Sequence, residues 1–210
     1  MEMEQNNPFR APEARVADIA ADMGEFLPEG RRVPAGNGVA WLGSGWTLFK
    51  AAPGTWIGLT VVFMLVMMVM ALIPFLGGIG LNLLMPVFIG GIMMGCRDLE
   101  NGEDLRVGHL FAAFSGQTGN LVVVGLLYMV GMFAILIVMM LIGGVGIGVG
   151  ALMGGSFSPA ALVPLVLLVL LAIALMIPLA MAIWFAPPLI IFHEVPPFEA
   201  MKASFVVCLK

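Results

Sequence analysis

The stretch NLVVVGLLYMVGMFAILIVMMLI, residues 120–142, contains no charged side chain, and Asn120 and Tyr128 are its polar residues. At about 1.5 Å of rise per residue it covers the roughly 30 Å hydrocarbon core of a bilayer as a single helix. Working outward, no Lys, Arg, Asp or Glu occurs between Arg106 and Glu194, and none between Lys50 and Arg97. Each gap has room for two crossings. The spans expected are about residues 55–73, 79–96, 120–142 and 160–186. The fold class is therefore an all-α integral membrane protein, made of transmembrane helical hairpins preceded by short amphipathic interfacial helices.

Composition supports this reading. Of 210 residues, 61% are apolar and 10% charged, and mean hydropathy is +1.08. Soluble domains carry about 45–50% apolar and about 25% charged residues. This excludes a soluble enzyme, a nucleic-acid binder and a disulfide-stapled secreted module. The net charge is −4.

An even number of crossings in each gap returns the chain to the side it left, so every charge falls on one face. Lys and Arg mark the cytoplasmic side. The expected topology is multi-pass with a cytoplasmic N-terminus. Both external connections are short and uncharged.

Local signals place the helix ends. Pro74 and the turn Phe75-Leu76-Gly77-Gly78 close the first span. Asn82 and Pro86 are expected to bend the second. Asn120 reads as the N-cap of the third, which ends near Ile142 in a glycine-rich connection, residues 143–150. Ser158-Pro159 opens the fourth, which stays apolar to Phe192, and Pro178 and Pro187-Pro188 are expected to kink or end it, leaving its last part at the interface.

Residues 1–38 form an acidic, Pro-containing cytoplasmic tail, with 39–210 as the membrane domain. Val16, Ile19, Met23 and Phe26 recur at helical spacing, so residues 12–27 fit one amphipathic helix. The tail reads as solvated and partly disordered, or as a docking segment for a partner or the membrane surface. Its acidity argues against anionic headgroups as the target.

Three stretches align on Phe49, Phe114 and Phe205. Leu42, Val107 and Phe198 stand seven residues earlier, and Trp46, Phe111 and Lys202 three earlier. Such spacing makes one helical stripe. The interfacial anchors are Trp41, Trp46, Phe49, Trp56, Phe111, Phe114, Phe198 and Phe205. The first two stretches each precede a hairpin. The third leads to the expectation of a third hairpin beyond Lys210.

Chemistry-bearing residues are sparse. The spans hold Thr60, Asn82 and Tyr128 and no ionisable group of the kind ion-coupled carriers use. His109, His193, Glu194, Cys96 and Cys208 lack close metal-ligand spacing and read as separate interfacial residues. Two cysteines on a reducing side do not predict a disulfide. Met64 and Met68 share a helix face, as copper thioether sites require. The other methionine pairs keep no common register and read as apolar filler. Gly91 and Gly95 permit close helix approach, while Gly144/Gly148, Gly146/Gly150 and Gly150/Gly154 fall at an expected helix end or loop. No catalytic residue, metal or cofactor is expected. The densest charge cluster, Arg97, Asp98, Glu100, Glu103, Asp104 and Arg106, surrounds a turn at Asn101-Gly102. It reads as a solvated hairpin with local ion pairs, or as a contact for a protein partner.

Gly45-Trp46-Thr47-Leu48-Phe49, Ala52-Pro53-Gly54-Thr55-Trp56, Asn82 to Phe88, Gly95-Cys96-Arg97 and Gly108 to Phe111 resemble a family of uncharacterised bacterial inner-membrane proteins. The resemblance covers roughly residues 35–210 and implies about six crossings. More distantly, the chain is similar to the membrane domain of some bacterial glycerophosphodiester phosphodiesterases, whose catalytic groups would lie in a separate soluble domain. No catalytic residue carries over. The expectation is a non-enzymatic accessory, scaffold or assembly subunit that contacts the bilayer and a protein at its cytoplasmic face. The alternative is a transporter or channel for a lipid-like or uncharged solute, with copper as a minor variant. A third reading, a lipid-modifying enzyme, requires His109, His193 and Glu194 to converge.

Overall fold

The structure is a computed structural model describing residues 34, 36–74, 76–152 and 162–210. The proposed helix 12–27, the Ser158-Pro159 start and Gly154 lie outside the described residues. Within them the protein is all helical: α1 (Asn37–Ala51), α2 (Pro53–Ala71), α3 (Leu76–Glu100), a 3-10 helix (Val107–Ser115), α4 (Thr118–Leu152), α5 (Leu162–Trp184), α6 (Ala186–His193) and α7 (Pro197–Cys208). Four stretches are long and apolar enough to cross a membrane: Pro53–Ala71, Leu76–Glu100, Thr118–Gly144 and Val163–His193. The chain is a polytopic helical membrane protein.

Two boundaries differ from expectation, both at α4, and the break expected at Pro187-Pro188 is present. α4 does not stop at Ile142 but runs helically through the glycines to Leu152. A glycine costs about 1 kcal/mol in a helix, but extending a helix already nucleated needs no new nucleus and adds one hydrogen bond per residue. Gly144/Gly148 and Gly146/Gly150 are thus helical pairs and not loop residues. Asn120 is not the N-cap either. It lies in the first turn of α4 and donates to Gln117 Oε1 at 2.7 Å, while Thr118 Oγ1 donates to the Ala113 carbonyl at 2.9 Å.

The fourth span divides at Phe185. Pro187 and Pro188 have no N–H to give the carbonyls of Ile183 and Trp184, so α5 ends at Trp184. The two prolines then occupy the first turn of α6, where a missing N–H costs nothing. Pro178 and Pro86, by contrast, lie inside helices that continue past them.

Packing is concentrated toward the charged ends of the helices. One core joins Val87 of α3, Ala113 of the 3-10 helix, Leu121 and Val124 of α4, Ala186 and Ile190 of α6, and Ala200 of α7. A second joins Leu59, Phe88 and Leu110. Phe88 sits at its centre, edge-on to Phe63, Phe111 and Phe114 with ring centroids 5.7, 6.0 and 5.5 Å away.

Small residues set the close approaches. A side chain on Gly91 would overlap the His109 and Leu110 carbonyl oxygens, so the Gly91/Gly95 pair seats the 3-10 helix rather than another span. A Cβ on Gly125 of α4 would lie 2.8 Å from the Asn82 carbonyl oxygen. That carbonyl is the one that Pro86, lacking an N–H, leaves without its helical partner.

Candidate functional site

The charged end is built on the C-terminus of α3. Gly102 has φ +82°, its N–H donates to the Leu99 carbonyl, and Glu103 N–H donates to the Asp98 carbonyl. This is the Schellman arrangement, with glycine in the left-handed position it favours. The expected turn at Asn101-Gly102 is present.

His109 organises the residues after the turn. Its Nδ1 accepts from Arg106 N–H at 3.0 Å, which places the neutral ring's proton on Nε2. Nε2 lies 3.0 Å from Asp98 Oδ2. The ring therefore pins the start of the 3-10 helix to the end of α3. Leu105, buried beneath the loop, contacts the face that Gly95 leaves open.

Arg97 does not pair with the neighbouring acids. Its guanidinium lies over the Phe192 ring of α6, 5.2 Å from the centroid. Glu100, Glu103, Asp104 and Arg106 are exposed. The cluster is thus less a set of paired charges than two committed groups, Arg97 and Asp98, with four outward-facing ones. A cavity of about 370 Å³ is lined by Asp98, Gly102, Glu103, Asp104, Arg106 and His109.

His193 lines a different cavity, about 260 Å³, with Phe185, Pro188, Leu189 and Phe192 of the α5–α6 segment and Ala203, Ser204 and Val207 of α7. His109 and His193 therefore do not share a cavity. Among the described residues no group of three or more His, Cys, Asp or Glu side chains is placed to hold a metal ion.

The anchor residues divide into two kinds. Trp41, Trp46 and Phe198 are more than half exposed, and Phe111 and Phe114 are partly so. Trp46 stacks on Phe49 at 5.4 Å. Trp56 instead donates from Nε1 to the Leu48 carbonyl at 3.1 Å and ties α1 to α2. Phe205 is half-buried. On α7 the packed face is Ala200, Ala203 and Ser204, opposite the exposed Phe198 and Lys202.

Sequence reasoning missed Ser204. It is fully buried, accepts from Phe185 N–H at 3.0 Å and donates to the Met181 carbonyl at 2.6 Å. Phe185 to Met181 is the i to i−4 bond that a continuous helix would make, so the hydroxyl is spliced into it. One turn along, Cys208 Sγ lies 3.7 Å from the same carbonyl. Burial pushes the Cys208 thiol above its ordinary pKa. The legible signal was the small-residue spacing Ala200, Ala203, Ser204.

These features define a class, the polytopic α-helical membrane proteins with a charged, tightly packed end and apolar, loosely packed spans. The chain is 33% identical over 192 residues to a probable inner membrane protein of Burkholderia thailandensis, covering 84% of this chain and 68% of that one. It belongs to that protein's family. No family model matches the chain, and no solved structure does.

Proposed function

We propose that this protein is a non-enzymatic accessory or assembly subunit of an inner-membrane complex, with its N-terminus and charged end in the cytoplasm. The observation that supports this is how the polar groups are used. Ser204, the buried polar side chain of the described core, is consumed in closing a helix break. The outward-facing Glu100, Glu103, Asp104 and Arg106 are carried on a turn fixed by Gly102 and the Asp98–His109 pair. A rigid mount for four exposed charged residues suits recognition by a protein of complementary charge. The orientation follows from the Lys and Arg residues. On this reading the Gly45–Phe49 and Ala52–Trp56 signature is a clasp, in which Trp56 holds α1 against the membrane-spanning hairpin.

Photo-crosslinking from Glu103 and Asp104 in native membranes tests the proposal. The expected result is a protein adduct of one defined mass, lost when, in the probe-carrying chain, Glu100 is reversed to Lys and Arg106 to Glu, the other exposed charges of the turn. A chain that crosslinks to no protein there, and leaves mild detergent as a monomer of 22.2 kDa polypeptide mass, would overturn it. Solute flux through liposomes holding the chain alone would favour the transporter reading instead.

A further inference from the structure

We infer that the groove between α6 and α7 is a binding site for one anionic glycerophospholipid, its acyl chain along the groove and its phosphate at Arg97. The groove is walled by Phe185, Leu189 and Phe192 and floored by Ala203 and Val207. α6 has eight residues, about 12 Å of helix, and leads from the helix break toward the charged end at His193. Its lining is apolar except for His193 at the charged end and Ser204, whose hydroxyl is spent at the helix break, a division close to that of a phospholipid.

The cationic group at the polar end is Arg97, held on the Phe192 ring that walls the groove. The ring attracts the guanidinium through its charge and accepts no conventional hydrogen bond, so the N–H donors suit two-point contact with a phosphate. Among the described residues no carboxylate lies within 4.0 Å of Arg97. Its neighbour Asp98 faces His109 and does not compete. A cation beside an interhelical groove at headgroup depth is the usual recognition element for anionic lipid. The site requires only that the charged end lie at a headgroup layer, on whichever side of the membrane.

The test uses the full chain in phosphatidylcholine vesicles, with trace spin-labelled phosphatidylglycerol or spin-labelled phosphatidylcholine, and reads the motionally restricted fraction. Phosphatidylglycerol should be restricted preferentially. Arg97→Gln should reduce that preference about fivefold, the effect of one cation near an anionic surface, with Arg97→Lys retaining part of it. Val207→Trp, which fills the groove, should abolish it, while Lys50→Gln leaves it intact. Equal restriction of the two lipids by the unaltered chain, or a preference unchanged in Arg97→Gln, overturns the site. Should Val207→Trp fail to fold, the Arg97 pair decides alone. Retention of the preference in a folded Val207→Trp would also overturn it.

Discussion

Two spans of this protein show opposite strategies. In α3, Leu76–Glu100, 33% of the most apolar window is buried in protein, whereas in the span Val163–His193 none is. The buried helix is the one rich in glycine, with Gly90, Gly91 and Gly95 all packed. The exposed one is a near-continuous run of Leu, Val, Ile and Ala. Within lipid, apolar side chains gain little by leaving lipid for protein, so helices associate where small residues let backbones approach. Small residues mark where backbones approach, and large side chains such as Leu110, Leu121 and Ile190 fill the core around those approaches.

The comparison can be broken at several points. Phe88→Ala should be the most damaging, at about 3–4 kcal/mol, because three rings lose their shared partner. Thermal unfolding in detergent would show it. Leu170→Ala on the exposed span should change stability by less than about 0.5 kcal/mol. If the two substitutions cost the same, the division into packed and lipid-facing spans is wrong.

Gly91→Ala should follow, at about 2–3 kcal/mol, since the added carbon meets two backbone carbonyls that cannot rotate away. Gly144→Ala meets nothing within 4 Å and should be neutral or slightly stabilising. The pair compares the same chemical change in the two regions.

Ser204→Ala should cost about 1–3 kcal/mol by stranding Phe185 N–H and the Met181 carbonyl. Its measurable signature would be faster amide exchange at Phe185 than at neighbouring core positions.

The smallest effect concerns reactivity. A raised pKa lowers the thiolate fraction at any given pH, so in a Cys96→Ser background Cys208 should alkylate more slowly than a free cysteine at pH 8. Its rate should still be rising at pH values where a free thiol has levelled off. A rate equal to that of free cysteine across this range would show that Cys208 is not desolvated.

Much of the architecture was legible because lipid imposes it. The charge-free gaps 51–96 and 107–193 announce the spans, and Gly102 announces its turn through a conformation other residues resist. Less was legible about how the ends are joined. Local cap and breaker signals do not give the roles of Asn120 and the glycines after Ile142, because α4 begins earlier, at Thr118, and a helix once nucleated extends through the glycines. Arg97 and Asp98 were recognisable as charged, but the spacing of the loop did not show that their partners would be an aromatic ring and a histidine.

What the sequence determined by itself is the solvent and the number of long helices, since both follow from the free energy of transferring charge and backbone into hydrocarbon. Tertiary structure alone decided which face of each helix is core, that the 3-10 helix rests on Gly91, and that Ser204 completes a hydrogen bond between residues some twenty positions away. Those outcomes depend on contacts between elements distant in the chain, and a local pattern carries no record of which small residue will meet which backbone.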